Sequence, residues 1–125
     1  MGSDILLVDD NGIQAATRKA VLSRLGRSVL VAGNGVQALQ ILDSVARPIG
    51  LVITDHLMPG MNGPEFVAEL RERFPQLPVL VLSGLSEAEE EYEELDVTFR
   101  MKPLPPDELI RLVRSLLVGP IARTA

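Results

Sequence analysis

Four short apolar runs each end in a residue able to handle a metal ion or a phosphoryl group. Ile5-Leu6-Leu7-Val8 leads into Asp9-Asp10, and Leu51-Val52-Ile53-Thr54 leads into Asp55. Val79-Leu80-Val81-Leu82 leads into Ser83-Gly84, and the run from Val97 to Met101 leads into Lys102-Pro103. Three carboxylates gathered in a small volume cannot all ionise comfortably without a cation. The donors are oxygens, with no cysteine in the chain and His56 its sole histidine. Mg²⁺, or Mn²⁺, therefore suits them better than zinc. Mg²⁺ keeps several waters and takes few carboxylates, which leaves room for a phosphoryl oxygen. A carboxylate can attack phosphorus to give an acyl phosphate, so Asp55 is the natural acceptor. Lys102 would neutralise charge on another side of the phosphoryl group, and Ser83 would donate a hydrogen bond to it. Such transfer needs positioning and charge neutralisation more than covalent help.

The elements that must position these groups alternate. Short apolar runs bounded by turn residues and separated by helical patterns predict buried parallel strands. In an open parallel sheet, chemistry collects at the carboxyl ends of the strands. Strands are expected at Asp4 to Val8, Ser28 to Ala32, a run ending at Asp55, Val79 to Leu82, and Val97 to Met101. A helix over Gly12 to Leu25 would turn Ala16, Ala20, Val21 and Leu25 inward, with Gly26 as a left-handed cap. A second, Val36 to Ala46, would pack through Leu39, Leu42 and Val45 and stop before Pro48. The third opens on Pro64 and buries Phe66, Val67, Leu70 and Phe74. The last starts near Pro105-Pro106-Asp107-Glu108 and carries Leu109, Ile110, Val113, Leu116 and Leu117 on one face. Gly119-Pro120 should stop it, leaving residues 4–118 as one folded core and 119–125 as a tail or linker stub. Right-handed crossovers put helices on both faces of the sheet.

Composition narrows the function classes. At 125 residues the chain is one domain, 46% hydrophobic but only 3% aromatic, so Leu, Val, Ile and Ala must build its core. The net charge of −5 argues against direct nucleic-acid binding, which needs a basic surface. The sequence holds no apolar run long enough to span a bilayer and no secretory signal pattern, so no membrane contact and a cytoplasmic location are expected.

The motifs ILLVDDN, VITDHLMPGMNG, VLVLSG and FRMKP, in this order, resemble the receiver domain of two-component response regulators. The resemblance covers essentially the whole chain. It implies a flavodoxin-like (βα)5 fold with sheet order 2-1-3-4-5. It also implies Asp55 as phospho-acceptor, Asp10 and Asp55 as direct Mg²⁺ ligands, Asp9 acting through water, and the Leu57 backbone carbonyl as a further ligand. By the same match Ser83 and Phe99 are the switch pair, and Lys102-Pro103 carries a cis peptide bond. The implied partners are a histidine kinase or histidine phosphotransfer protein, and an output domain or partner protein. The strand ending Leu82-Ser83-Gly84 and the Asp-Glu-Leu-Ile helix resemble receivers attached to hybrid histidine kinases. The domain would be a signalling module, not an enzyme in its own right, although it would assist its own phosphorylation and dephosphorylation.

The chain also departs from the pattern. Only 18 residues separate Ser83 from Lys102, and six of the eight from Glu87 to Glu94 are glutamate. Glutamates four apart without basic partners weaken a helix, so the fourth helix should be short or irregular, on a narrow stripe of Leu85, Ala88, Tyr92 and Leu95. Partner docking is expected instead on helix one and the loop Pro103-Leu104-Pro105. Leu57 and Leu85, at positions that tune phosphate lifetime, are apolar and cannot orient a water, so a persistent phosphoryl group is expected. His56 reads as a surface-loop residue. Two other classes stay open: an Mg²⁺-dependent phosphohydrolase with an aspartyl nucleophile, and a pseudo-receiver that binds partners without being phosphorylated.

Overall fold

Strands buried on both faces have no solvated side, so they read as continuous apolar runs and pair in parallel between helical layers. The computed structural model describes residues 4–44 and 48–124, with side chains to residue 117. Its strands β1 (Asp4–Val8), β2 (Val29–Ala32), β3 (Ile49–Asp55), β4 (Val79–Ser83) and β5 (Thr98–Met101) form one parallel sheet in the order β2-β1-β3-β4-β5. Around it lie helices α1 (Gly12–Leu22), α2 (Gly35–Ser44), α3 (Gly63–Arg73) and α4 (Pro106–Thr124). A 3-10 stretch, Ser86–Tyr92, stands where the fourth crossover helix would be. The flavodoxin-like order and the irregular fourth helix are both as expected.

Side chains alternate across a strand, so the sheet splits the core in two. Leu6, Val8, Val52, Val79 and Val81 meet Ala38 of α2 and Phe66, Val67 and Leu70 of α3. Ile5, Leu7, Leu51, Ile53, Leu80 and Leu82 meet Ala15 and Leu22 of α1 and Leu109, Val113 and Leu117 of α4. Each such aliphatic side chain contributes roughly 1.5–3 kcal/mol by leaving water.

Helix α1 differs from expectation in phase and length. It ends at Leu22, and Ser23–Leu25 tightens into a 3-10 turn before Gly26, whose φ of 72° is left-handed. The inward line is Ala15, Arg18 and Leu22; Ala16 and Ala20 are exposed, and Val21 and Leu25 are half-buried. Burying Leu22 removes far more apolar area from water than burying Ala16 or Ala20, and that sets the rotation of the helix. In α2 the buried residues are Gly35, Ala38 and Leu39, with Leu42 half-buried; Val45 and Ala46 lie outside the described residues. Helix α4 does not stop at Gly119-Pro120 but runs to Thr124. An interior proline costs a helix about 3 kcal/mol, which is a penalty and not a prohibition.

Arg71 ties α3 to the chain between β4 and β5. Its guanidinium donates to the carbonyls of Leu77, Leu95 and Asp96 at 2.6–2.7 Å. Partial burial draws its pKa down from the usual arginine value.

Candidate functional site

Register brings the acids together. Val8 lies level with Thr54, so Asp9 and Asp55 leave β1 and β3 side by side, at the point where the strand order reverses. Asp55 in turn lies level with Leu82, and Ser83 with Met101, so Ser83 and Lys102 emerge in the same crevice. The Lys102 amide donates to the Ser83 carbonyl at 2.8 Å. Beyond β1 the chain turns into α1 through Asn11, whose side chain accepts from the Gln14 amide at 2.9 Å as an N-cap. The loop after β3 leads to a capping box in which Asn62 and Glu65 exchange hydrogen bonds at the head of α3.

Asp9, Asp10 and Asp55 each offer a carboxylate oxygen within 4.8 Å of the others. Asp9 and Asp55 are buried, whereas Asp10 is exposed at the mouth. Lys102 Nζ stands 3.0 Å from Asp55 Oδ1 and 3.3 Å from Gln14 Oε1. The Lys102-Pro103 bond is cis, as the resemblance implied. Arg18 Nη1 bridges the two buried acids, 3.0 Å from Asp9 Oδ2 and 3.1 Å from Asp55 Oδ1. Asp9 Oδ1 also accepts from the Asn11 amide at 2.9 Å. Burial pushes the Asp9 carboxyl up to about 6; the Asn11 amide lowers it, neighbouring Asp55 raises it further, and Arg18 draws it down.

The Ser83 hydroxyl is engaged locally, donating to the Leu85 carbonyl at 3.2 Å and accepting from the Leu85 amide at 2.9 Å. Phe99 is buried on β5, its ring 6.0 Å from that of Tyr92. Leu57, two residues after Asp55, has its side chain exposed.

Two features were missed in the sequence. Arg18 was passed over because the wrong face of α1 was turned inward; its position between Ala15 and Leu22, three and four residues away, was the available signal. His56 is not a surface-loop residue. It is buried, with Nδ1 2.7 Å from the Tyr92 hydroxyl and Nε2 3.6 Å from Glu91. It continues the alternation of β3, two residues after Thr54, and so falls on the side that the 3-10 stretch covers. Tyr92 lies directly over Gly63, where any side chain would collide with its hydroxyl. Tyr92 itself follows Ala88 in the predicted stripe, and both are buried.

The fold and pocket define a doubly wound α/β protein with an acidic cluster, a lysine and a hydroxyl at its switch point. A profile of the response regulator receiver domain matches residues 5–114. The chain therefore belongs to the receiver domain family of two-component systems, a family of signalling modules. It is 36% identical over 120 residues to the response regulator MprA of Mycobacterium bovis, covering 94% of this chain and 51% of that protein. It is 29% identical over 116 residues to the sensor kinase CckA of Brucella abortus, covering 90% of this chain and 12% of that protein. A crystal structure of a response regulator receiver protein from Pseudomonas putida superposes with a TM-score of 0.84 at 28% identity, covering 92% of this chain and 98% of that one. The chain thus spans about half of one relative and a small part of the other. No described helix is long and apolar enough to cross a membrane.

Proposed function

We propose that this receiver accepts a phosphoryl group on Asp55 from a phosphohistidine and changes conformation to control a partner or an attached domain. The observation that carries the reading is the contact of Lys102 Nζ with Asp55 Oδ1 at 3.0 Å, beside two further acids. An Asp55 carboxylate oxygen attacks phosphorus, the P–N bond breaks, and the imidazole leaves with the electron pair and takes up a proton. Lys102 holds Asp55 in place and meets the negative charge that arrives.

The oxygen-only donor set, with one acid open to water, fits a hard divalent cation. Asp10 and Asp55 would hold Mg²⁺ or Mn²⁺ directly, with Asp9 acting through water and the Leu57 carbonyl completing the protein's share. Bound there, the ion would neutralise phosphoryl oxygens. Ser83 would exchange its bonds to Leu85 for one to the phosphoryl group, and Phe99 would move into the space released. Such a local change in charge biases a two-state surface.

Exposed Ile13 and Leu57 flank the pocket, and a groove lined by Gln14, Thr17, Pro103 and Leu104 adjoins it. This supports docking of the phosphodonor against α1 and the β5–α4 loop in the cytoplasm. The partner would be a histidine kinase or phosphotransfer protein. The similarity to part of a sensor kinase supports a place in a hybrid kinase, and that to a response regulator supports a place in a longer regulator.

Incubation with acetyl phosphate and MgCl₂, followed by intact mass, tests the reading. One labile phosphoryl adduct is expected on the wild type and none on Asp55→Asn. No adduct on the wild type would favour a pseudo-receiver, and turnover of phosphate esters would favour a hydrolase. With Leu57 and Leu85 unable to orient a water, the adduct should outlast a time scale of seconds.

A further inference from the structure

Arg18 has a second cation for company. Asp55 Oδ1 receives Lys102 Nζ at 3.0 Å and Arg18 Nη1 at 3.1 Å, while Asp9 receives Arg18 alone among the described cations. The arginine reaches the acids from the inward line of α1, between the buried methyl of Ala15 and the buried Leu22, and its side chain is only 15% exposed. Packing of α1 on the sheet therefore aims this charge into the pocket.

We propose that Arg18 is a resident counter-cation that a divalent ion must displace, and that it sets the metal affinity of the acceptor pocket. The proposal rests on the reading of that pocket as an Mg²⁺ site. A divalent ion bound to Asp55 through Oδ1 would sit about 2.1 Å from that oxygen, and so no more than about 5 Å from Nη1 if the arginine stayed. Two positive charges at that separation in a partly buried site repel strongly. A guanidinium cannot shed its proton to escape the conflict; it must move. Room exists beside it, because Arg18 already lines the groove shared with Gln14, Thr17, Val21 and Leu104. Rotation about its own side-chain bonds would take the guanidinium from the acids into that groove without disturbing the helix.

The arrangement has a consequence for the unphosphorylated domain. Asp9 and Asp55 have cationic partners supplied by the chain itself, so the pocket takes up an ion only when the ion outcompetes the arginine. Lys102 touches only one of the two buried acids, whereas Arg18 bridges both and so occupies the space between them.

Titration with MgCl₂ at constant ionic strength, followed by amide chemical shifts, tests this on the intact chain. Arg18→Ala should bind Mg²⁺ roughly tenfold more tightly than wild type, since one contact charge is removed from a partly buried site. Lys19→Ala removes an equal charge from the exposed side of the same helix and should leave the affinity unchanged. In the wild type, the Arg18 Nε–Hε resonance should move along the same binding curve as the amides of Asp10 and Asp55. Arg18→Gln should repeat the gain, which keeps the test valid if alanine disturbs α1. Equal or weaker binding in both Arg18 variants would overturn the proposal, as would an equal gain in Lys19→Ala. Absence of Mg²⁺ binding in all the proteins would instead remove the metal reading, and this inference with it.

Discussion

Two regions of this molecule are rich in acid, and they handle it in opposite ways. At the carboxyl ends of β1 and β3, Asp9 and Asp55 are buried and held by Arg18 and Lys102 at 3.0–3.1 Å. In the 3-10 stretch after β4 and the turn that follows it, the glutamates from Glu87 to Glu94 are exposed, while Ala88 and Tyr92 turn inward. Charge in the first region costs desolvation and has to be offset by specific partners. Charge in the second costs little, because solvent does the same work without geometry. The lesson is that acid content says nothing by itself; the dielectric around each group decides whether it is a site or a surface.

The contrast can be broken at its anchor. If the stretch is fixed by its apolar contacts and not by its charges, Tyr92→Ala should cost about 3–5 kcal/mol, the usual range for deleting a buried aromatic ring. Chemical denaturation would measure it, and a loss below about 1 kcal/mol would mean that Tyr92 does not anchor the segment. His56 would lose its hydroxyl partner in the same variant.

The buried region should reveal itself in pH dependence. Burial holds the Asp9 carboxyl up at about 6 in the folded protein, against roughly 4 for a solvated aspartate. Between those two values the folded state holds more protons than the unfolded chain, so stability falls as pH rises through that window. In metal-free buffer, thermal unfolding followed from pH 4 to pH 7 should show this decline. Asp9→Asn, which cannot ionise, should flatten it and gain stability at pH 7. An unchanged slope in the variant would assign the decline to other groups.

The smallest effect belongs to the exposed acids. Glu89→Gln with Glu93→Gln should change stability by no more than about 0.5 kcal/mol in the same denaturation experiment, as surface substitutions generally do. A larger shift would show that the segment's charge is coupled to the fold, and the comparison between the two regions would need redrawing.

How much was legible beforehand follows from what each signal depends on. The strands were readable because double-sided burial demands unbroken apolar runs, and the residue types at their ends picked out the groups that meet in the pocket. Asp9, Asp10, Asp55, Ser83 and Lys102 needed no side-chain detail, only the assumption that parallel strands end together. The irregular fourth helix was readable too, because glutamates at that density oppose a helix locally. Arg18 and His56 were not. An arginine on a helix reads as solvated until the rotation of that helix is known, and that rotation was set by the burial of Leu22 against the sheet. A histidine in a loop reads as exposed until something is known to cover it, and Tyr92 lies 36 residues away.

Sequence by itself therefore determined the element order, the parallel sheet and the list of groups at the carboxyl ends of its strands, since these follow from periodicity and residue chemistry along a few neighbouring positions. Tertiary structure alone decided which cation holds which acid, and what lies over the loop after β3. Those are matters of helix rotation and of contacts between distant segments, fixed to within an ångström by packing that no local pattern encodes.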